Sequence, residues 1–359
     1  MTAERTWSHL LETLLAGRDL TVSEATWAMK LIMSGEVSEA RLAAFLIALR
    51  AKGETVEEVI GFRDAILDAA EPVNLSPWGL DIVGTGGDMV GTVNVSTMSA
   101  MVCAASGIPV MKHGGRAASA RSGSSDVLTT LGARHTSEPA EVERILNETG
   151  LTFLYASLFH PGFRHAAPVR KDLGISTVFN FLGPLTNPAR PEASAVGVAK
   201  ESAIPVITGV FRTRGATALV FRGDDGLDEL TVTGYSSVWE VSNGAVTEHD
   251  LHPRDVGLGT YEMSELLGGT PEENAAIARE VLAGGGKEAV RDIVLLNSAA
   301  GMVAYDLAKQ PELAERPLRH RLTERIETAR EIISSDKAIE QLDRWVAATQ
   351  AGAGDVASV

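Results

Sequence analysis

Five short apolar runs recur along this chain with helical stretches between them: GLDIVG (79–84), IPVMKHG (108–114), TFLYA (152–156), ASAVGVA (193–199) and TALVFRG (217–223). Runs of this length bounded by turn residues read as strands buried on both faces. Strands alternating with helices predict a mostly parallel sheet with helices outside it. In such an open sheet, ligands collect beyond the carboxyl ends of the strands. Three of the runs end on glycine there. SVWEVSNGAVTE (237–248) departs from the pattern: Asn243-Gly244 between two alternating runs signals a tight antiparallel hairpin.

Residues 1–72 carry no such run. Thr21-Val-Ser-Glu24 and Thr55-Val-Glu-Glu58 are capping boxes, and Ser38 is placed to cap a helix with Leu42, Phe45, Leu46 and Leu49 on one face. Gly35 and Gly53 punctuate these helices. The pattern changes at Pro72–Pro77. Far downstream, Thr270-Pro-Glu-Glu273 starts another helix, and the chain stays helical to about residue 349. The expected architecture is therefore a small all-helical domain over 1–72, a large α/β domain over 73–349 with a mostly parallel central sheet, and a tail over 350–359. Two domains also suit 359 residues.

Charge narrows the function classes. A net charge of −15 argues against nucleic-acid binding. No apolar run reaches the ~18 residues of a membrane span, and MTAERTWSHLLETLL lacks a signal core. Cys103, the single cysteine, cannot form an intrachain disulfide and reads as a buried, inert thiol. The expected compartment is the cytoplasm.

Against that acidic background, KHGGRAASARSGSSD (112–126) is cationic and built of small residues. Lys112, His113, Arg116 and Arg121 bring charge, and Ser119, Ser122, Ser124 and Ser125 bring hydroxyls. Gly114, Gly115 and Gly123 let the backbone bend round a ligand. GTGGD (84–88) follows the first strand and offers backbone N–H groups to an anion. The dinucleotide fingerprint fails there because Met89 holds the last glycine position. NVST (94–97) opens the next helix, where Asn94, Ser96 and Thr97 either cap it or bind phosphate at its N-terminus. These three segments predict one pocket for phosphate and pyrophosphate. GDDGLDELT (223–231) adds carboxylates suited to Mg²⁺, with Asp228-Glu229 the better pair and Asp224-Asp225 an acidic turn. In FHPGFRHAAPVRKDLG (159–174), His160, Arg164, His165, Arg170 and Lys171 lack zinc spacing, while Arg170 suits a carboxylate. FNFLGPLTNP (179–188) reads as a rigid turn between domains.

GTGGD, NVST, KHG-R-AS-SGSSD, FNFLGPLTNP and GDDGLDE, in this order, resemble the anthranilate phosphoribosyltransferase family over residues 7–349. The resemblance implies an architecture similar to pyrimidine nucleoside phosphorylases, a homodimer formed through the helical domain, and a segment near 165–190 packed against that domain. It implies Mg²⁺-dependent transfer of phosphoribosyl from 5-phosphoribosyl 1-pyrophosphate (PRPP) to the amine of anthranilate, a step of tryptophan biosynthesis, with two metal ions on the donor. By matching position, Gly84, Gly87, Asp88, Thr92, Asn94, Val95, Ser96 and Thr97 would bind the donor. Lys112, His113, Gly114, Gly115, Arg116, Ala117, Ala118, Ser119, Ala120 and Ser124 would close over its pyrophosphate. Ser96, Asp228 and Glu229 would hold the metal. Gly84, His113, Gly115 and Arg170 would face the acceptor. No covalent nucleophile is implied.

Three positions depart from the family pattern. Gly115 replaces the asparagine of the usual KHGNR, Met89 replaces a glycine, and Gly91 replaces an asparagine. All three lie in loops near the substrates. They support a second reading, the same donor chemistry on another aromatic acid, amine or hydroxyl. Pyrimidine nucleoside phosphorolysis and a non-catalytic nucleic-acid-binding role are further alternatives, opposed by Asp228-Glu229 and by the net charge respectively.

Overall fold

A computed structural model describes residues 6–116 and 122–351. Four helices come first: α1 (Trp7–Leu15), α2 (Val22–Ser34), α3 (Glu39–Lys52) and α4 (Val56–Asp68). Both expected capping boxes form. Thr21 and Thr55 each accept from the N–H three residues on, and Glu24 and Glu58 reach back. Ser38 occupies the N-cap of α3 but makes no side-chain bond there, so its expected capping role fails.

Strands and helices then alternate: β1 (Leu80–Gly84), α5 (Val95–Ala105), β2 (Val110–Gly114), α6 (Ser124–Thr130), α7 (Pro139–Thr149), β3 (Leu151–Tyr155), α8 (Ala156–Phe159), α9 (Ala167–Leu173), β4 (Ala193–Gly197), α10 (Ile204–Arg214) and β5 (Thr217–Gly223). The hairpin β6 (Ser236–Ser242) and β7 (Ala245–Leu251) follows. Asn243 and Gly244 turn it at φ of 50° and 74°, the left-handed pair that a type I′ turn requires. Helices α11 (Pro271–Leu282), α12 (Glu288–Lys309), α13 (Leu318–Ser334) and α14 (Lys337–Ala351) complete the described chain. None of the described helices is long and apolar enough to cross a membrane.

The strands form one seven-stranded sheet in the order β3-β2-β1-β4-β5-β6-β7. The first five are parallel, and β6 and β7 are antiparallel. Strand residues alternate between two apolar layers with the period of a pleat. Leu80, Ile82, Ala193, Ala195, Leu219 and Phe221 join α5 and α11–α14 on one face. Val83, Val196, Val198, Ala218 and Val220 join α1–α4, α10 and residues 166–185 on the other. The N-terminal helices therefore share a continuous core with the sheet. Cys103 is fully buried in the first layer, and burial pushes its thiol up to about 12, so it stays protonated and inert.

The chain winds from β1 to β3 on one side, then returns to β4 on the other. β1 and β4 are thus neighbours whose onward connections diverge, the point at which an open sheet forms a crevice. Their registered partners at the carboxyl end are Gly84 and Gly197.

Candidate active site

A cavity of about 260 Å³ opens above the ends of β1 and β2. It is walled by the 84–88 loop, the start of α5, the end of β2, the start of α6 and the 228–229 segment. Gly84, Gly87, Asp88, Thr92, Asn94, Val95, Ser96, Lys112, His113, Gly114, Gly115, Arg116, Ser124, Asp228 and Glu229 all line it. These walls converge here because they lie at or just after the carboxyl ends of three parallel strands, β1, β2 and β5. Ala117, Ala118, Ser119, Ala120 and Arg121 lie outside the described residues.

The 84–88 loop takes its shape from Gly86 and Gly87, at φ of 68° and 87°. Side chains are strained at such angles. Met89 adopts φ 61° nonetheless and stands 81% exposed at the loop apex. The turned loop presents the Gly86 N–H to the Asp228 carboxylate at 2.6 Å. Asp228 itself packs against both strand-end glycines. A Cβ at Gly84 would lie 2.2 Å from its Oδ2, and one at Gly197 would lie 1.7 Å from its backbone oxygen.

Three acids crowd this end of the cavity. Burial, then the charge of Asp88, pushes Asp228 up to about 7. Burial and Asp228 push Glu229 well above the usual carboxylate range, and burial raises Asp88. A divalent cation on these oxygens would relieve both the desolvation and the repulsion. Among the described residues no group of three or more His, Cys, Asp or Glu forms a self-sufficient metal cage. That suits Mg²⁺, which binds through one or two carboxylates and fills its shell with water and substrate phosphate. Asp225 is occupied elsewhere. It accepts from Thr231 Oγ1 and Thr233 Oγ1, both at 2.6 Å, and so shapes the 223–233 loop.

Lys112 differs from its expected place in a closing loop. It is a strand residue, only 3% exposed, whose Nζ donates to Ile82 O at 2.6 Å and Ser96 Oγ at 3.1 Å. Burial lowers its pKa, and Asp81, Glu229 and Asp228 oppose that shift. The result is a fixed cation beneath the cavity. Arg116, by contrast, is exposed, with Asp126 at 3.8 Å.

Asn94 stands at the N-cap of α5 without making a side-chain cap bond. Its Nδ2 donates to Ser122 O at 3.3 Å and its Oδ1 accepts from Asn274 Nδ2 at 2.9 Å. It ties the 122–124 edge of the cavity to α11, which capping alone would not do. Thr97 points away. Its buried Oγ1 has no hydrogen-bond partner among the described residues, and it does not line the cavity.

His113 is buried, and burial lowers its pKa to about 4. Its Nδ1 lies 3.0 Å from Gly183 O. A carbonyl only accepts, so Nδ1 carries the proton and Nε2 keeps a lone pair. Nε2 is buried with no partner among the described residues. Arg170, expected to face the acceptor, does not line this cavity. Its guanidinium lies 5.3 Å from the Phe179 ring centroid, on the helical side of the cleft. His165 packs against the end of α2 at Gly35.

Residues 179–188 are more than a rigid turn between domains. Two short 3₁₀ turns, Val178–Asn180 and Gly183–Leu185, carry Gly183 to the cavity and Asn187 beneath it. Asn187 Nδ2 donates to Asp81 Oδ2 at 2.9 Å and Met111 O at 2.8 Å, and Asp81 Oδ1 accepts from His113 N at 3.0 Å. The motif reading missed Asp81, Asn187 and Gly197. A carboxylate inside GLDIVG and a glycine inside ASAVGVA were the available signals.

Comparison with known proteins agrees along the whole chain. Residues 8–70 match the helical bundle domain of a glycosyl transferase family, and residues 77–339 match that family's a/b domain. An anthranilate phosphoribosyltransferase of Leifsonia xyli subsp. xyli is 58% identical over 350 residues, spanning 98% of this chain and 100% of that one. The Saccharomyces cerevisiae anthranilate phosphoribosyltransferase, solved in complex with PRPP and Mg, superposes with a TM-score of 0.85 at 30% identity, covering 97% of this chain and 99% of that one. The yeast protein in complex with 4-fluoroanthranilate gives 0.83 at 28% identity, with the same coverage.

Proposed function

This chain belongs to the anthranilate phosphoribosyltransferase family, and on that premise we propose that it transfers the phosphoribosyl group of PRPP to the amine of anthranilate. The observation that carries the reading is the convergence of Asp88, Asp228, Glu229, the turned 84–88 backbone and the buried Lys112 on one cavity at the carboxyl ends of β1 and β2.

The reaction breaks the bond from the ribose C1 to the pyrophosphate oxygen and forms a C1–N bond. Positive charge develops at C1 and negative charge on the departing pyrophosphate. Asp228 and Glu229, with Ser96 beside them, would hold Mg²⁺, which when bound would neutralise charge on the pyrophosphate. The reading takes two ions, since Asp88 adds a third carboxylate to the same end of the cavity. Lys112 is a fixed cation that needs no reorganisation during the reaction. The backbone N–H groups at 84–88 and Ser124 orient the donor. The neutral aromatic amine is nucleophilic without activation, so its positioning governs the rate. After attack the nitrogen carries a surplus proton of high acidity. That proton passes to water or to the departing pyrophosphate, since His113 Nε2 is buried.

Further elements of the reading are a homodimer and a cytoplasmic location. Leu15 and Ile47, both exposed apolar residues of the N-terminal helices, support the first. The buried, protonated thiol of Cys103 supports the second.

The direct test follows pyrophosphate and phosphoribosylanthranilate with PRPP, anthranilate and Mg²⁺. Product formation should stop on chelation by EDTA and return with added Mg²⁺. Turnover that persists without metal, or phosphorolysis of uridine in its place, would overturn the reading.

Gly115 offers a check on the acceptor side. A Cβ there would meet only the Ala156 Cβ, at 3.7 Å. A Cβ therefore fits, and Gly115→Asn adds a hydrogen-bonding group on the cavity wall. It should lower the KM for anthranilate about 2- to 10-fold, the worth of one neutral hydrogen bond, with kcat nearly unchanged. A raised KM would show that the cavity needs the open space.

A further inference from the structure

The 84–88 loop has two faces. One lines the cavity just described. The other lines a separate cavity of about 440 Å³, in the groove between α3, residues 176–181 and the carboxyl ends of β4 and β5. Three cations from three different parts of the fold meet there: Arg50 of α3, Lys200 after β4 and Arg222 of β5. Among the described residues none of the three forms an ion pair with a carboxylate. In a chain with a net charge of −15, such a convergence is against the average.

Both guanidinium groups are held in place by neutral carbonyls. Arg222 Nε donates to Ala199 O at 3.0 Å and its Nη1 to Gly223 O at 3.3 Å, while Arg50 Nη1 donates to Ser176 O. Those bonds fix the two forks without neutralising them. The cavity's one carboxylate, Asp88, already accepts from Val90 N at 3.2 Å. Three cations against one acid leave a charge of about +2, which a dianion matches better than a monocarboxylate does.

The geometry points to a second anion site here, for a small, doubly charged oxyanion of the phosphate class, separate from the donor cavity. Bound there, the anion bridges the N-terminal helices through Arg50 and the sheet through Lys200 and Arg222. It also presses on the Thr85–Asp88 backbone that walls the donor cavity. Occupancy of one cavity therefore alters affinity at the other, and linkage makes the effect reciprocal.

The test uses inorganic phosphate as the probe, titrated calorimetrically into the full chain at low salt, with and without saturating PRPP and Mg²⁺. One phosphate should bind per chain and remain bound when PRPP is present. In K200Q/R222Q its affinity should fall by about tenfold or more for each cation removed. Circular dichroism and a thermal melt check that the double variant folds. If it does not, the single change Lys200→Gln, at a half-exposed side chain, carries the test. Linkage between two sites levels off at saturating PRPP. Strictly competitive displacement, in which phosphate affinity falls without limit as PRPP rises, overturns the proposal, because it puts the anion in the donor cavity. So does undiminished binding to a folded variant, or no phosphate binding at all. The variant comparison decides the matter whether or not PRPP binds.

Discussion

Asp228→Asn should reduce phosphoribosyl transfer by about 10²- to 10³-fold while making the metal-free protein more stable at pH 8. The activity loss has the size seen when one preorganised group facing transition-state charge is removed. The gain in stability follows from the same crowding. Asp228 has a pKa of about 7 in the fold, raised by burial and by Asp88, against about 3.9 in an unfolded chain. A raised carboxylate binds its proton more tightly when folded than when unfolded. Its contribution is therefore fully present below pH ~4 and is lost as pH rises through 7. Above that, the folded chain carries an ion it resists holding, at a cost of a few kcal/mol. Asparagine removes the ion, and its side-chain oxygen can still accept from Gly86 N, now 2.6 Å from the carboxylate.

Thermal melts of wild type and D228N in EDTA check this. The variant's advantage should be largest near pH 8, shrink through pH 7 and nearly vanish by pH 4. Added Mg²⁺ should reverse the order at pH 8, since only the wild type keeps the ligand. A variant that melts lower at pH 8 without metal would refute the account, as would turnover at the wild-type rate.

Local signals in the sequence carried the fold further than they carried the site. Apolar runs buried on both faces located the five parallel strands, and Asn243-Gly244 located the hairpin, because both signals are local in sequence. The capping boxes at Thr21, Thr55 and Thr270 form for the same reason. Ser38 and Asn94 have equally suitable chemistry, yet neither caps. For Asn94 a competing partner is visible: its amide bonds Ser122 and Asn274, 28 and 180 residues away. Lys112 shows the same limit. It belongs at once to the apolar run 108–114 and to the cationic stretch 112–126, and its register in β2 puts the ammonium under the sheet end, bonded to a carbonyl of β1. Arg170 could be assigned a carboxylate-binding role from composition, but the direction of its side chain depends on how α9 packs, and it lies over Phe179. Asp81 was legible as an anomaly, an acid inside an apolar strand. Its partners, His113 N and Asn187, could be known only from the fold.

Gly197→Ala should be the most damaging single methyl group near the site. Gly197 ends β4 opposite Gly84 of β1. Its missing Cβ leaves room for the backbone of Asp228, whose oxygen and carbon lie 1.7 Å and 2.3 Å from where that atom would be. Neither can swing aside as the tip of a side chain can. Either β4 slides against its neighbours or residue 228 is displaced by more than 1 Å. The first costs about 3 kcal/mol, at the upper end for overpacking a core. The second takes the carboxylate out of position, and misplacement on that scale costs about 10²-fold in rate. Gly84→Ala separates the two effects. Its Cβ meets chiefly the Asp228 side chain, Oδ2 at 2.2 Å and Cγ at 2.9 Å, with the backbone oxygen farther off at 3.3 Å. It should therefore cost activity on a similar scale with less loss of stability. Gly234→Ala, where a Cβ meets nothing within 4 Å, should be silent in both. Urea unfolding and steady-state turnover of the three variants give the comparison. If Gly197→Ala is as mild as Gly234→Ala, then the 228–229 segment is free to move, and the rigid seating of the metal carboxylates on the two strand ends is wrong.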